Sequence, residues 1–248
     1  SRVVVANEGE PKDYCEPGLA NDPEGSVTII DIPADRSQLP TAAVRTANFH
    51  GVFPELHREV RFFGPNASTA QDLEPEYIAV ADDSKTAYVT LQEANAIAVV
   101  DLTTGTVTAL HALGTKDHSQ RINQLDASDR DDAVRLATWP VEGMYQPDTI
   151  AFYLFDGEDQ GLRRVAGYGL APGAPDRLRS GEGLAGQCAR ERKPASLAGI
   201  PADALRIVSG VGEAAPAQAT AWPVTAQDEL LAVLEFASFR PLAGNEKA

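Results

Sequence analysis

Acidic side chains recur at short intervals in two turn-rich segments of the chain. They are Glu8, Glu10, Asp13, Glu16, Asp22 and Glu24 in the first segment, and Asp117, Asp126, Asp129, Asp131 and Asp132 in the second, where His118 accompanies them. Hard cations such as Ca²⁺ bind through several oxygen ligands, which carboxylates in turns supply. The predicted metal ligands are Glu8, Glu10, Asp22, Asp117, His118, Asp126, Asp129 and Asp131. The competing interpretation is a pair of solvated loops whose acidic side chains cap turns.

The second segment carries no complete motif of a known catalytic or calcium site. The run from Asp126 to Asp132 has loosely calcium-like spacing but lacks the glycine and distal glutamate of an EF-hand. Asp117 and His118 are adjacent in sequence, whereas triad members are brought together by the fold, and Ser119 has no nucleophile elbow around it. We therefore favour non-catalytic binding. The alternative is a metal-dependent phosphoesterase, in which clustered ligands would hold a water-activating metal.

Charge limits the classes of partner. The formal net charge is -15. A surface with this charge repels nucleic acid and anionic membranes, and it suits a cation or a basic partner. No apolar run is long enough to span a bilayer. We expect the natural N-terminus to lie upstream, because the sequence opens directly in a predicted strand at Arg2.

The elements that would position the acidic segments come from an internal repeat. Residues 3–8 align with residues 88–93, and residues 25–31 align with residues 95–101, each copy ending in Ile-Ile-Asp or Val-Val-Asp. The second copy predicts four short strands, 76–81, 86–91, 96–101 and 106–111, joined by tight turns. Four antiparallel strands joined in this way form one blade of a β-propeller. We predict an all-β fold, a partial β-propeller of YVTN or WD40-like blades, and a β-sandwich is the alternative.

Propeller topology places the long loops together. In such a blade the second-to-third strand turn and the connection to the next blade lie at one end of the sheet. The insertion at about 9–24 and the connections at about 49–75 and 112–147 would then share that end, and the short turns would lie at the other. We expect binding at this end, because elaborated loops on a rigid scaffold usually carry function.

Several motifs in residues 1–155 resemble the choice-of-anchor I family. They are Val5-Ala6-Asn7-Glu8-Gly9-Glu10-Pro11, Asp22-Pro23-Glu24-Gly25-Ser26-Val27, Phe63-Gly64-Pro65, Ala70-Gln71-Asp72-Leu73-Glu74-Pro75-Glu76-Tyr77-Ile78, Ala87-Tyr88-Val89-Thr90-Leu91-Gln92-Glu93, Lys116-Asp117-His118-Ser119, Leu125-Asp126-Ala127-Ser128-Asp129-Arg130-Asp131 and Gly143-Met144-Tyr145-Gln146-Pro147-Asp148. The resemblance implies an extracytoplasmic propeller that is secreted, periplasmic or on the cell surface. Some members of the family are labelled alkaline phosphatase-like, which is the source of the phosphoesterase alternative.

Residues 156–248 differ from residues 1–155 in composition. Residues 1–155 hold 11 Lys+Arg and 24 Asp+Glu, whereas residues 156–248 hold 10 and 12 and are rich in Ala, Gly, Pro and Arg. We place a domain boundary near Asp156 and expect an irregular segment beyond it. Two explanations are open, an out-of-frame or misjoined segment and a genuine appendage. Cys15 and Cys188 are too few for a disulfide scaffold, and the sequence does not show whether they pair.

Overall fold

The chain folds into stacked antiparallel β-sheets with little helix. The computed structural model describes residues 1–11, 22–51, 60–64, 66–128, 130–131, 133–147, 149–157, 159–201, 205–209, 212–226 and 229–239. The predicted all-β class is confirmed, because strands make up most of the regular structure in these residues. None of the helices in the described ranges is long and apolar enough to cross a membrane.

The first two sheets lie in the N-terminal part. The first sheet contains β1 (Arg2–Asn7), β2 (Ser26–Asp31) and β3 (Val44–Asn48) in that order. A 3-10 helix, Arg36–Thr41, joins β2 to β3, and the short helix α1 (Thr69–Asp72) leads into the second sheet. The second sheet is a meander of β4 (Pro75–Val80), β5 (Thr86–Leu91), β6 (Ala96–Asp101) and β7 (Thr106–Ala112).

These four strands match the predicted unit to within one residue at every end. Alternating apolar residues and tight turns fix them locally, which is why the sequence predicts them well. The turn before β7 places Gly105 at a φ of 72°, a left-handed conformation that glycine adopts without strain. The arrangement of such sheets into a β-propeller remains a prediction.

The rest of the chain forms two small ribbons and a large sheet. The ribbons are β8 (Lys116–Asp117) with β9 (Glu142–Gly143), and β14 (Ile207–Ser209) with β15 (Gly212–Ala214). The third sheet has the order β12-β11-β10-β17-β16-β13, with β10 (Thr149–Asp156), β11 (Gly161–Gly167), β12 (Arg177–Arg179), β13 (Ala195–Ala198), β16 (Gln218–Ala226) and β17 (Glu229–Ser238). A short 3-10 helix, Arg121–Asn123, follows β8, and α2 (Gly183–Glu191) lies between β12 and β13.

The third sheet gives the C-terminal segment more regular structure than its Ala- and Gly-rich composition indicates. Its central strand β10 ends at Asp156, the predicted boundary, and pairs with β11 and with β17. Residues on both sides of the boundary therefore share one sheet. The division into domains at this point, and the origin of the C-terminal segment, remain predictions.

The core is built from layers that pack face to face. Val27, Ile29 and Ala47 of the first sheet share one hydrophobic cluster with Val89 and Ala98 of the second. The opposite face of the second sheet packs against the third sheet. There the rings of Tyr88 and Phe152 stack with their centroids 4.3 Å apart. The other face of the third sheet packs against α2. The order of layers is first sheet, second sheet, third sheet and α2.

Strand register corrects the alignment of the repeat by one residue. Arg2 pairs with Asp31 in the first sheet, and Thr86 pairs with Asp101 in the second. Val4, rather than Val3, thus occupies the position of Tyr88. A shift of one residue moves a strand side chain to the other face, and sequence similarity between short β-branched runs does not resolve it.

Candidate functional site

Four carboxyl groups meet at one end of the first two sheets. Glu8 and Glu10 follow β1, Glu74 precedes β4, and Glu93 lies in the turn between β5 and β6. The side chains of Glu74 and Glu93 are hydrogen-bonded to each other. Two carboxyl groups make such a bond only when one of them holds a proton. We call Glu8, Glu10, Glu74 and Glu93 the carboxylate cluster.

Burial and mutual repulsion disfavour the charged forms in this cluster. Burial raises the pKa of Glu93, and the negative charges of Glu8 and Glu10 raise it further. Burial likewise raises the pKa of Glu8, with a contribution from Glu10. Glu74 is only 2% exposed. Oε2 of Glu93 is buried without a hydrogen-bond partner among the described atoms. The cluster therefore gathers carboxyl groups whose charged forms are disfavoured by burial and by one another.

Glycine lets the backbone segments around the cluster approach closely. A Cβ atom on Gly25 would lie 2.1 Å from the carbonyl oxygen of Leu73, directly before Glu74. The backbone N–H of Gly25 donates a hydrogen bond of 2.8 Å to the carbonyl of Ala70. These contacts hold the start of β2 against α1, and they bring the loop after β1 to the entrance of β4.

Asp22 lies beside a different carboxylate, that of Asp72. Burial and the charge of Asp72 raise the pKa of Asp22, and its Oδ1 is buried without a hydrogen-bond partner among the described atoms. The carboxylate of Asp72 already makes hydrogen bonds that stabilise the local fold. It accepts hydrogen bonds from the backbone N–H groups of Phe63, at 3.0 Å, and Gly64, at 2.9 Å. Nε2 of Gln71 donates to the carbonyl of Asp22 at 2.7 Å, which ties this residue to α1.

The acidic residues of the second segment form local turn contacts. Asp117 accepts hydrogen bonds from the backbone N–H of Ser119 and from the side chain of Gln120, and the side chain of Ser119 is the main cause of its lowered pKa. The two oxygens of Asp126 accept from the backbone N–H groups of Ser128 and Arg135. These contacts match the turn-capping interpretation. Asp131 lies 3.7 Å from the guanidinium of Arg135, and Asp129 lies outside the described residues.

His118 is held in the ribbon of β8 and β9. It is 3% exposed, and its Nδ1 lies 2.6 Å from the carbonyl oxygen of Asn123, which fixes the ring when that nitrogen is protonated. Its Nε2 has no hydrogen-bond partner among the described atoms, and a Cβ on Gly143 would lie 2.6 Å from it. The ring therefore fills the space that glycine leaves at this position.

Only some of the predicted metal ligands interact with one another in the described residues. Glu8 and Glu10 are brought together with Glu74 and Glu93, two residues that were not predicted as ligands. The sequence alignment of residues 3–8 with residues 88–93 pairs Glu93 with Glu8, which was a signal for Glu93, although the strand register shifts that pairing by one residue. Within the described ranges, no three or more His, Cys, Asp or Glu side chains have the arrangement of a ready metal site. The predicted ligand set and a bound Ca²⁺ remain proposals.

Two protein-family models match this chain, and the residue ranges that they match overlap. Residues 1–160 match the family model of the choice-of-anchor I domain. Residues 127–247 match the model of the GAF domain, a range that contains every strand of the third sheet. No curated protein and no solved structure matches the chain.

Proposed function

Because the chain belongs to the choice-of-anchor I family, whose domains are associated with cell-surface proteins, we propose that it is an extracytoplasmic, non-catalytic binding module. Its ligand is a divalent cation of the calcium type. The ligand binds at the carboxylate cluster, at the end of the sheets where the loop after β1 meets the entrance of β4.

The hydrogen-bonded pair of Glu74 and Glu93 carries this proposal. A hydrogen bond between two carboxyl groups requires a proton on one of them, and Glu8 and Glu10 add negative charge beside this pair. A cation would replace that proton and offset the unfavourable burial of the remaining charge. Glu8, Glu10, Glu74 and Glu93 would supply carboxylate oxygens, which hard cations prefer.

The flanking acidic groups favour a cation over an anion. Asp22 has a raised pKa beside Asp72, and residues 1–155 carry a charge balance of -13, from 11 Lys+Arg and 24 Asp+Glu. The field of such a surface concentrates cations near it. Calcium sites of extracellular modules typically bind in the range of about 0.1–1 mM, and we expect an affinity of this order.

Calorimetric titration of the whole chain with CaCl₂ at pH 6 tests the proposal. We expect binding accompanied by proton release, which appears as a dependence of the measured heat on the ionisation enthalpy of the buffer. Glu93→Gln should weaken binding by at least about tenfold, since it removes a charged ligand. Glu229→Gln, the same change at an exposed position at the start of β17, should leave it unchanged.

Two results would refute the cation proposal. One is the absence of both binding heat and any Ca²⁺-dependent rise in thermal unfolding temperature at 10 mM CaCl₂, a concentration about tenfold above the weakest expected dissociation constant. The other is equal binding by the parent and Glu93→Gln, which would place the ion elsewhere. A parallel assay of phosphomonoester hydrolysis with several divalent metals tests the phosphoesterase alternative. Turnover that disappears in Asp126→Ala or His118→Ala would favour it.

A further inference from the structure

The first sheet is one strand short of the second. The internal repeat equates β1, β2 and β3 with β5, β6 and β7, and in the second sheet a fourth strand, β4, pairs with β5. Within the described ranges, no strand is hydrogen-bonded to β1 on the corresponding side. β1 is therefore an open edge at the place where the second sheet has a partner strand.

Two equivalent hydrogen bonds support this comparison at the level of single atoms. The N–H of Ile32 donates to the carbonyl of Ser1 at 2.8 Å, and the N–H of Leu102 donates to the carbonyl of Lys85 at 2.7 Å. The first bond ends the pairing of β1 with β2, and the second ends the pairing of β5 with β6 in the same way. The two strand pairs therefore share one register.

This register shows which backbone groups of β1 face the open edge. Successive residues of an antiparallel strand direct their N–H and C=O groups alternately to one side and the other. Because the carbonyl before β1 bonds toward β2, the backbone groups of Arg2, Val4 and Ala6 face the open edge. In the second sheet, the carbonyl of Thr86, the equivalent of Arg2, accepts from the N–H of Ala81 at 2.9 Å. The groups that this contact satisfies in β5 have no described strand partner in β1.

The side chains of β1 leave this edge unprotected. Native sheets usually protect an open edge with charged side chains, proline or a bulge. Residues 3–6 contain neither charge nor proline, and β1 pairs with β2 without a register shift. Val3 and Val5 are also exposed. These features are typical of a strand that pairs with a further strand.

The surroundings of β1 indicate the chemistry of the missing strand. By analogy with β4 beside β5, it would run antiparallel to β1, so its N-terminal end would lie beside Glu8 and Glu10. Opposite Val4 it would carry a small residue, since Ala79 lies opposite Tyr88. The segment that fits is aliphatic, with a small residue at this position and a basic residue near its N-terminal end.

We propose that β1 is a docking edge, to which a partner protein adds such an extended aliphatic segment as the fourth strand of the first sheet. Strand addition obtains affinity from main-chain hydrogen bonds and selectivity from alternate side chains. Each described strand of this chain already pairs within its own sheet or ribbon. Pairing of two copies through β1 is opposed by charge, because each copy carries a net charge of -15.

A peptide that copies β4 tests the docking edge. The probe is Lys-Pro-Lys-Tyr-Ile-Ala-Val-Ala, which is residues 74–81 with lysine in place of both glutamates. It is added to the whole chain at up to about 1 mM, because short segments lose entropy on binding and bind weakly. Amide exchange measured by NMR should slow at least about fivefold at Val4. Exchange should stay unchanged at Thr46 on the opposite edge and at Tyr88, which shows that the peptide does not replace β4.

N-methylated peptides separate strand pairing from non-specific adhesion. Methylation at the alanine that copies Ala79 removes a donor that faces β1, and it should abolish the protection of Val4. Methylation at the next residue, which copies Val80, removes an N–H that points away from β1 and should preserve the protection. Restoring both glutamates should weaken binding at least about threefold, since they would lie beside the acidic end of β1.

Three results would overturn the docking edge. The first is exchange at Val4 that the lysine peptide does not slow. The second is an equal effect of the two methylations, which would mean that no strand forms. The third is a dimer, observed by analytical ultracentrifugation, in which Val4 is protected without peptide, because a second copy would then occupy the edge. Binding that does not change when both glutamates are restored would overturn the preference for a basic segment.

Discussion

The Oδ2 atom of Asp31 lies 2.6 Å from Nη1 of Arg45. Oδ1 of the same carboxylate lies 2.8 Å from Nε of Arg2. The two arginines also donate to the second sheet, Arg2 to the carbonyl of Ser84 at 2.8 Å and Arg45 to the carbonyl of Leu102 at 3.1 Å. One aspartate at the end of β2 thus orients two side chains that link the first sheet to the turns of the second.

This arrangement predicts an acid-dependent loss of stability. The hydrogen bonds from Arg45 and then Arg2 lower the pKa of Asp31 to about 2 from its ordinary value of 3.8. A lowered folded-state pKa stabilises the fold above the unfolded value, and that contribution disappears as the pH falls through about 2. Asp31→Asn should lower the unfolding temperature at pH 7, and the difference from the parent should shrink steadily below pH 4.

The control for this prediction is Asp83→Asn, a carboxylate in an exposed turn that contacts only the local backbone N–H groups of Lys85 and Thr86 in the described contacts. Its effect should be smaller. A difference between Asp31→Asn and the parent that stays constant from pH 7 to pH 2 would contradict the assignment of the lowered pKa to the arginine pairs.

A buried asparagine connects the second sheet to the long segment that follows it. Asn95 is 2% exposed, its Nδ2 donates to the carbonyl of Gly114 at 2.7 Å, and its Oδ1 accepts from the backbone N–H of Tyr145 at 2.8 Å. Its backbone has a φ of 51°, which glycine tolerates. Asn95→Gly should therefore remove the side-chain contacts without backbone strain and cost about 1–3 kcal/mol in chemical denaturation.

Asn66 provides the matched control, since it also has a positive φ, 66°, but is exposed. Asn66→Gly should change the free energy of unfolding by less than about 0.5 kcal/mol. Equal effects of the two substitutions would mean that backbone conformation, rather than the side-chain hydrogen bonds, determines the cost at Asn95.

The sequence predicted the second sheet well and the third sheet poorly, for a physical reason. In β4 to β7 neighbouring strands are joined by short turns, so local alternation and turn residues determine the pairing. In the third sheet β10 pairs with β17, 78 to 88 residues later, as in Ile150 with Phe236, and short sequence patterns contain no signal for such a partner. Alanine-rich strands such as β16 also show weak alternation, because alanine occupies both buried and exposed positions.

Only part of the candidate site was predicted, because its other members come from distant segments of the chain. Acidic composition marked the loop after β1, but the partners of Glu8 depend on how two sheets meet at Gly25. Glu74 and Glu93 lie at strand ends in separate segments, so their hydrogen bond follows from tertiary packing. His118 and Asp126 had suggestive spacing, but their described hydrogen bonds are to nearby backbone groups. Spacing alone does not distinguish a turn cap from a ligand.

The contact between His118 and Gly143 predicts a strong steric effect. Gly143→Ala would place its Cβ 2.6 Å from Nε2 of a ring that is already enclosed, so either the ring or the ribbon must shift. We expect a loss of about 1–3 kcal/mol, as for other overpacked sites. In Gly157→Ala a Cβ would meet nothing within 4 Å, and this change should be close to neutral. If His118→Ala fails to reduce the cost of Gly143→Ala in a double-mutant cycle, the clash is not with the ring.

The close approach at Gly25 predicts that stability and cation binding are lost together. Gly25→Ala would place its Cβ 2.1 Å from the carbonyl oxygen of Leu73, a backbone atom that cannot rotate away. The start of β2 must then separate from α1, which also displaces Glu74 and breaks its alignment with Glu93. We expect a loss of more than about 2 kcal/mol in unfolding free energy and weaker Ca²⁺ binding in the calorimetric titration of the folded fraction. Retained Ca²⁺ affinity despite the lost stability would show that the ion does not require the contact between the two sheets, and the proposed ligand set would have to exclude Glu74.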